Sequence, residues 1–207
     1  MRSYIHFIRH GITEGIINKW YYGSADLPLT DEGYEALREL MAEGIYPPLG
    51  DADCYTSGML RADQTLKVIY GNVPFKTIPL LREMNFGSWE CKTFNELQKE
   101  PEYEEWINNK EGSFTFPGGG DSVISFNERI QKGLKELCGY QRLKELSHRH
   151  SGKDAVSIMV CHGGTIAAAM EGWFPGDREN FWQWIPATGR GFTVEFKESE
   201  PFSYKAI

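Results

Sequence analysis

Residues 4–11 read YIHFIRHG, and this stretch decides how the rest of the chain is arranged. The run Tyr4–Ile8 is apolar, β-branched or aromatic, which predicts a buried strand, and Gly11 allows a sharp turn after it. Arg9 and His10 are then delivered to the carboxyl end of a strand, where open α/β sheets bind ligands. Arginine offers donors that suit phosphate, and histidine offers a lone pair, so the pair predicts phosphate chemistry with a histidine nucleophile.

A second histidine-glycine turn repeats the arrangement late in the chain. Ser157–Cys161 forms another predicted buried strand, and His162-Gly163-Gly164 follows at once. Two such turns meet in one crevice if their strands are neighbours. The alternative is that both histidines are strand-end residues with local hydrogen bonds only, and it loses weight once the other candidate residues are counted.

Length and charge exclude several classes of protein. A chain of 207 residues is most simply one domain, large enough to bury a core without metals or disulfides. The net charge of −7, with no basic run, argues against a nucleic-acid partner. No stretch approaches membrane-spanning length, so no membrane partner is expected. An anionic protein that binds an anionic substrate must concentrate its cations at the site.

The cysteines predict a reducing, cytoplasmic setting. Cys54, Cys91, Cys138 and Cys161 are widely spaced, with no pair at redox or zinc-binding spacing. Such residues usually serve as reduced, small apolar side chains in an intracellular protein. The apolar segment before Arg9 is too short for a signal peptide. No cluster of metal ligands is visible in the sequence, so we expect neither a metal nor a cofactor.

Strands and helices alternate along the chain, which predicts a three-layer α/β/α sandwich with a mostly parallel sheet. Arg61 opens a predicted helix directly after a strand over Asp53–Thr56, and Glu83 follows a third strand. A cation is unfavourable in the first turn of a helix, and a bound phosphate would reverse that cost, so Arg61 is a candidate ligand rather than a solvated surface residue. The alternation over Phe192–Phe196 predicts an edge strand, and Phe202–Ala206 is the candidate to pair with it antiparallel.

Residues from about 84 to 123 break the alternation of strands and helices. The segment combines aromatic-rich helical pieces with a glycine run, and we expect an excursion of the single 1–207 domain, lying over the active site. Two interpretations are open for the rings of Trp106 and Phe114 in this segment and of Tyr21 in an earlier loop. They either stack a leaving-group base or pack against each other. Asp121-Ser122 reads as the cap of the long helix that follows.

Six blocks of sequence resemble the histidine phosphatase superfamily, also called the phosphoglycerate mutase-like family. In order, they are FIRHGITE, GSADLPLTDEG, TSGMLRADQT, LREMNFGSWE, PGGGDS and VCHGGTI. Six blocks in the family's order are far more specific than one RHG turn. The resemblance implies the phosphoglycerate mutase-like fold and a phosphoric monoester hydrolase of the histidine acid phosphatase type.

The resemblance also implies roles for the residues at the strand ends. His10 would be the nucleophile that becomes phosphohistidine, and Glu83 would be the acid that protonates the leaving oxygen. Arg9, Arg61 and His162 would form the phosphate pocket. Phosphoryl transfer depends on in-line positioning and preorganised cations, and this set supplies both.

Outer phosphate contacts are less well matched to the family. The backbone N–H of Gly163 is one candidate donor, and the hydroxyl of Thr13 is either another donor or a helix cap. Ile16 stands where members often carry an asparagine that contacts phosphate, and Asn18 is the candidate to replace it.

Three further positions complete the comparison with the family. Trp20 stands where many members have arginine, and Cys91 replaces a usual glycine. Glu90 is a rival for the acid role of Glu83, and we interpret it as structural.

We expect a phosphatase acting on a small phosphomonoester rather than a mutase. Family mutases carry a longer, cationic insert that holds a second phosphate, whereas Thr93–Gly120 here has no arginine and only Lys99 and Lys110 against many glutamates. The α-ribazole-5'-phosphate phosphatases look closest, partly from the block Gly189-Arg190-Gly191-Phe192. A cofactor-dependent phosphoglycerate mutase and a non-catalytic phospho-ligand binding module stay open, as does a homodimer.

Overall fold

A single six-stranded sheet forms the middle layer of the computed structural model, which describes residues 1–207. Its strands are β1 (Ser3–Arg9), β3 (Asp53–Thr56), β4 (Phe75–Thr77), β6 (Ala155–Cys161), β7 (Gly191–Lys197) and β8 (Glu200–Ala206). They lie in the order β4-β3-β6-β1-β7-β8. Two short strands, β2 (Trp20–Tyr21) and β5 (Lys92–Thr93), pair antiparallel outside this sheet.

The strands that carry the two histidine turns are direct neighbours. β1 pairs with β6 in parallel, with Arg9 opposite Cys161, so both strands end at the same edge of the sheet. β3 and β4 continue the parallel part on one side, and β7 and β8 add antiparallel pairs on the other. The predicted fold class is therefore confirmed. The antiparallel pairing of Phe202–Ala206 with Phe192–Phe196 is confirmed, and because β8 lies outside β7, the edge of the sheet is β8 rather than Phe192–Phe196.

Helices cover both faces of the sheet. They are α1 (Glu14–Ile17), α2 (Asp31–Ala42), α3 (Leu60–Tyr70), α4 (Phe94–Leu97), α5 (Tyr103–Asn108), α6 (Val123–His148) and α7 (Gly163–Trp173), with short 3-10 turns at Pro79–Leu81, Gly87–Trp89 and Phe181–Trp184. Residues of α6 and α7 pack in the larger core cluster, and residues of α2 and α3 pack in a second one. Alternate side chains of β1 enter the two clusters, Phe7 the first and Ile8 the second, as the period of a strand requires.

The aromatic segment builds a third, smaller core of its own. Trp89, Leu97, Phe114 and Phe116 are buried in it. The rings of Tyr21 and Trp106 meet edge-on with their centroids 5.6 Å apart, and Phe114 is only 8% exposed. These rings therefore follow the packing interpretation rather than the base-stacking one.

Three further expectations concern membrane-spanning helices, the cysteines and the cap of α6. None of the helices combines the length and the apolar character that crossing a bilayer requires. All four cysteines are free thiols, two of them buried. Ser122 caps α6 by accepting a hydrogen bond from the backbone N–H of Ser125 at 3.0 Å, as its sequence position predicts.

Candidate active site

The first histidine turn leaves His10 with a free lone pair. Its Nδ1 lies 2.8 Å from the carbonyl oxygen of Gly11, which can only accept, so Nδ1 carries the proton and Nε2 does not. Nε2 makes no hydrogen bond within the chain. Burial, together with the nearby guanidinium groups of Arg61 and Arg9, holds the pKa of His10 well below its usual range. A neutral imidazole with a free Nε2 lone pair can act as a nucleophile at neutral pH.

Neighbouring elements fix this first turn from three sides. The N–H of Gly11 donates to Thr65 Oγ1 in α3 at 2.9 Å, and that hydroxyl donates to the carbonyl of Arg61 at 2.7 Å. The N–H of His10 donates to the carbonyl of Cys161 in β6 at 3.0 Å. Position 11 must be small, because a Cβ there would lie 2.8 Å from Leu37 Cδ1.

The second histidine turn brings His162 against His10. The ring centroids are 5.3 Å apart, and His162 is fully buried. Its Nε2 lies 2.7 Å from the hydroxyl oxygen of Ser57, whereas its Nδ1 has no hydrogen-bond partner. Burial, then the nearby Arg61, keeps the pKa of His162 well below its usual range, so this ring is also neutral.

Arg61 lies in the first turn of α3, as predicted, and it is fully buried. The solvated-surface alternative is therefore wrong. Its Nη1 donates to the carbonyl of Ala25 at 2.9 Å, its Nη2 donates to the carbonyl of Gly23 at 2.7 Å, and the guanidinium lies 5.1 Å from the ring centroid of Tyr22. These contacts hold the guanidinium in place beside both histidines while leaving several of its five N–H donors free.

Unpaired buried nitrogen atoms concentrate at this crevice. In the whole chain only four buried side-chain polar atoms lack a partner, and three of them are Arg9 Nε, Arg61 Nε and His162 Nδ1. Arg9 is anchored by a hydrogen bond of 2.7 Å from its Nη1 to the carbonyl of Pro186. Buried donors without acceptors are rare and costly, and a phosphoryl group would supply the missing acceptors.

Glu83 is held at the rim of the same crevice by backbone donors. Its Oε2 accepts from the N–H of Gly164 at 2.8 Å and its Oε1 accepts from the N–H of Met84 at 3.0 Å. A Cβ at Gly164 would lie 2.5 Å from the carboxylate, which explains the second glycine of the turn. Sequence reasoning missed Arg129 of α6, whose guanidinium binds the carbonyls of the segment that delivers Glu83, at Leu80, Arg82 and Glu83.

The outer candidates divide into two groups. Thr13 is fully buried, and its hydroxyl lies 2.5 Å from the hydroxyl of Tyr22; its side chain makes no cap on α1, so the cap interpretation is wrong. Gly163 is the first residue of α7, where its backbone N–H has no partner within the helix and can bind an anion, whereas the N–H of Gly164 is already bonded to Glu83. Asn18 is exposed at the end of α1, and no hydrogen bond joins it to the other candidates, so the structure does not place it in the role left by Ile16.

Glu90 is engaged throughout by backbone amides. Its carboxylate accepts hydrogen bonds of 2.8–3.1 Å from the N–H groups of Gly23, Ser24, Ala25 and Phe86. The same loop gives two carbonyls to Arg61. The loop 23–25 is therefore held on one side by the carboxylate of Glu90 and on the other by the guanidinium of Arg61, which agrees with a structural role for Glu90. Next to it, Cys91 adopts a left-handed conformation with φ of 60°, which is the physical reason why a glycine suits that position.

Ser57 is the other residue at the crevice that sequence reasoning did not assign. It directly follows β3 and precedes Gly58, a pattern that by itself predicts only a turn. The signal was its position, since it ends a strand beside β6 within the block TSGMLRADQT.

Known proteins resemble this chain in sequence over most of its length. Residues 5–205 match the sequence profile of the histidine phosphatase superfamily (branch 1). The adenosylcobalamin/alpha-ribazole phosphatase of Escherichia coli (strain K12) is 30% identical over 151 residues, 69% of this chain and 71% of that protein. The 2,3-bisphosphoglycerate-dependent phosphoglycerate mutase of Rhizobium etli is 24% identical over 177 residues, 82% of this chain and 79% of that protein.

A solved structure shows the same fold. The alpha-ribazole phosphatase of Shigella flexneri superposes with a TM-score of 0.72 at 22% identity, over 95% of this chain and 92% of that one. With the profile spanning nearly the whole sequence, this protein belongs to the histidine phosphatase superfamily, branch 1.

Proposed function

We propose that this protein is a phosphomonoesterase that works through a phosphohistidine at His10. One observation carries the proposal. The free Nε2 lone pair of His10 shares a buried crevice with unpaired donors on Arg9, Arg61 and His162. A nucleophile surrounded by preorganised donors is the arrangement that phosphoryl transfer needs.

In the first step, Nε2 of His10 attacks phosphorus as the bond from phosphorus to the ester oxygen breaks. Arg9, Arg61 and His162 donate to the phosphoryl oxygens, where negative charge is spread in the transition state. Protonated Glu83 passes its proton to the leaving oxygen, and an alcohol departs. The backbone donors at Met84 and Gly164 keep the carboxyl group aimed at that side of the crevice.

In the second step, water attacks phosphorus and the bond from phosphorus to Nε2 breaks. Glu83, left as a carboxylate by the first step, takes a proton from that water. The products are inorganic phosphate, the regenerated imidazole and the regenerated acid. In this proposal the backbone N–H of Gly163 and one hydroxyl of the Thr13–Tyr22 pair supply outer donors to the phosphoryl group, because the other proton of that pair lies in the bond between the two hydroxyls.

Hydrolysis is favoured over phosphoglycerate mutase action by charge. Mutase action requires a bound bisphosphate to reorient before water attacks, which needs cations for both phosphates. Lys92 is one of the few cations in the aromatic segment, and its ammonium group is already paired with Glu100 at 2.7 Å, so it is not free to bind a second phosphate. Glu96 of the same segment is part of the cap of α4. Carboxylates that stay unpaired there would repel a second phosphate, although salt screens exposed ones.

Names of relatives suggest the substrate. The Escherichia coli and Shigella flexneri proteins are alpha-ribazole phosphatases, so we take α-ribazole-5'-phosphate as the leading substrate, within the wider class of small phosphomonoesters. The finer assignments to the histidine acid phosphatase type and to the cytoplasm belong to the same proposal.

Purified protein tests the proposal in two parallel assays. Phosphate release is measured with p-nitrophenyl phosphate and α-ribazole-5'-phosphate, with EDTA present, and a coupled assay measures interconversion of 3- and 2-phosphoglycerate with 2,3-bisphosphoglycerate added. We expect monoester hydrolysis to exceed mutase turnover clearly. Mutase turnover well above phosphate release would reject phosphatase in favour of mutase, and no turnover in either assay would favour a binding module.

A further inference from the structure

We infer that Ser57 is a positioning residue that sets the tautomer of His162, so that this imidazole offers its Nδ1–H to the phosphoryl group. The inference deepens the proposed function and rests on it only for the identity of the anion. It starts from a contact that the mechanism above does not use, the hydrogen bond of 2.7 Å between Ser57 Oγ and His162 Nε2.

The ring of His162 carries a single N–H proton, and this proton can be on either Nδ1 or Nε2. Burial and the nearby arginines keep this ring neutral. A neutral imidazole has one N–H donor and one lone pair, and the partner of one nitrogen decides what the other can do. Since Nδ1 has no partner in the chain, Ser57 is the only group that makes the choice.

Hydrogen-bond accounting at Ser57 decides the direction of that bond. Ser57 is fully buried, and its oxygen already accepts a long contact of 3.4 Å from the N–H of Met59. Its own proton has one acceptor within reach, the lone pair of His162 Nε2. If Nε2 were protonated instead, the buried hydroxyl proton would lose its acceptor, which is unfavourable for a buried polar group.

The opposite tautomer would also harm anion binding. It would place the Nδ1 lone pair, rather than an N–H, among donors of Arg9 and Arg61 that surround a phosphoryl group. A lone pair repels a phosphoryl oxygen, whereas an N–H completes its coordination. Both arguments select the form with the proton on Nδ1. The backbone of Ser57 is itself fixed, because its carbonyl accepts from Arg82 Nε at 3.3 Å.

Nitrogen-15 NMR of the histidine-labelled protein, free of ligand, tests the tautomer directly. His162 signals are assigned by their loss in His162→Gln. We expect Nδ1 to be protonated and Nε2 unprotonated in the unsubstituted protein and in Ser57→Thr, and a shift towards protonated Nε2 in Ser57→Ala. Finding Nε2 protonated in the unsubstituted protein would overturn the inference, and this readout stands even if Ser57→Ala fails to fold.

Binding of inorganic phosphate, measured by calorimetry, tests the consequence. Ser57→Ala should weaken phosphate binding roughly 10- to 100-fold, as expected for loss of a hydrogen bond to a charged group, and Ser57→Thr should preserve it. Ser147→Ala is the matched control, since it removes a serine hydroxyl that bonds the Lys144 carbonyl on α6. Unchanged tautomer and phosphate affinity in Ser57→Ala would reject the role. Because neither readout needs turnover, an inactive protein with the expected tautomer would reject the proposed function and leave this inference standing.

Discussion

The two histidine turns follow the same pattern of strand, histidine and glycine, yet they present opposite groups to the crevice. His10 gives its Nδ1 proton to the carbonyl of Gly11 and keeps a lone pair at Nε2. His162 directs Nε2 to Ser57 and keeps Nδ1 for a ligand. The sequence pattern alone therefore does not indicate which imidazole attacks the phosphoryl group and which one binds it. That division depends on the group behind each ring, because the hydrogen bond of one nitrogen sets the state of the other.

Their glycines differ in the same way. A Cβ at Gly11 would press on the side chains of Leu37 and Leu29, within the core under α2. A Cβ at Gly164 would press on the Glu83 carboxylate. One glycine therefore protects packing, and the other protects the placement of the acid.

The largest expected effect comes from removing each ring in turn. His10→Ala should lose about 10⁴-fold or more in kcat, because the covalent step disappears. His162→Ala should lose about 10²–10³-fold, as loss of one preorganised donor does. Steady-state phosphate release measures both, and circular dichroism checks that each variant is folded. Equal losses would break the distinction between nucleophile and donor.

The histidines of the two turns should contribute similarly to the loss of stability at low pH. The pKa values of His10 and His162 are well below their usual range, and burial lowers that of His6 to about 4. The folded state keeps these rings neutral, while the unfolded chain takes up protons below about pH 6.5, so the free energy of unfolding falls as pH drops. Each ring contributes a slope of up to about 1.4 kcal/mol per pH unit. For His6 this window closes near pH 4, and for His10 and His162 it extends well below the usual pKa of histidine.

Denaturant unfolding at about pH 7.5 and pH 5.5 measures this dependence. The difference between the two conditions should shrink to a similar extent in His10→Ala and His162→Ala, since each removes one buried neutral ring. A free energy of unfolding that is equal at both pH values in the unsubstituted protein would contradict the burial argument.

Alanine at the two glycines separates packing from chemistry. Gly11→Ala should destabilise the fold by about 1–3 kcal/mol through overpacking. Gly164→Ala should cost less stability, because the opposing group is the flexible end of Glu83, but it should lower kcat and alter its pH profile by displacing the acid. Thermal unfolding and the pH dependence of kcat measure the two effects. Matching losses of stability with matching kinetics would remove the contrast.

The smallest effect should come from Cys91→Gly, a change outside both turns. Position 91 has a left-handed backbone conformation, which costs a residue with a side chain about 1–2 kcal/mol. Glycine removes this cost, but its greater conformational freedom in the unfolded chain offsets part of the gain in stability. We expect a gain in stability of up to about 1 kcal/mol with kcat unchanged. A change in kcat comparable to that of Gly164→Ala would show that the turns are not the sensitive region.

Local sequence was sufficient for the framework of the site. Apolar runs before Arg9 and His162 identify strand ends, and the glycines identify turns, because these features depend on short-range sterics and burial. The alternation of strands and helices then brings parallel strand ends to one edge of a sheet. The cap at Ser122 is predicted for the same local reasons.

Only the tertiary structure decided the hydrogen-bond partners across the crevice. Ser57 and His162 are 105 positions apart, and Arg129 reaches the Glu83 carbonyl from 46 positions away. The pairing of Thr13 with Tyr22 and the exposure of Asn18 also depend on how whole elements pack. The sequence by itself thus determined which residues reach the edge of the sheet. Long-range packing determined which protons and lone pairs they present there, because each buried polar atom takes its state from the partner that folding places beside it.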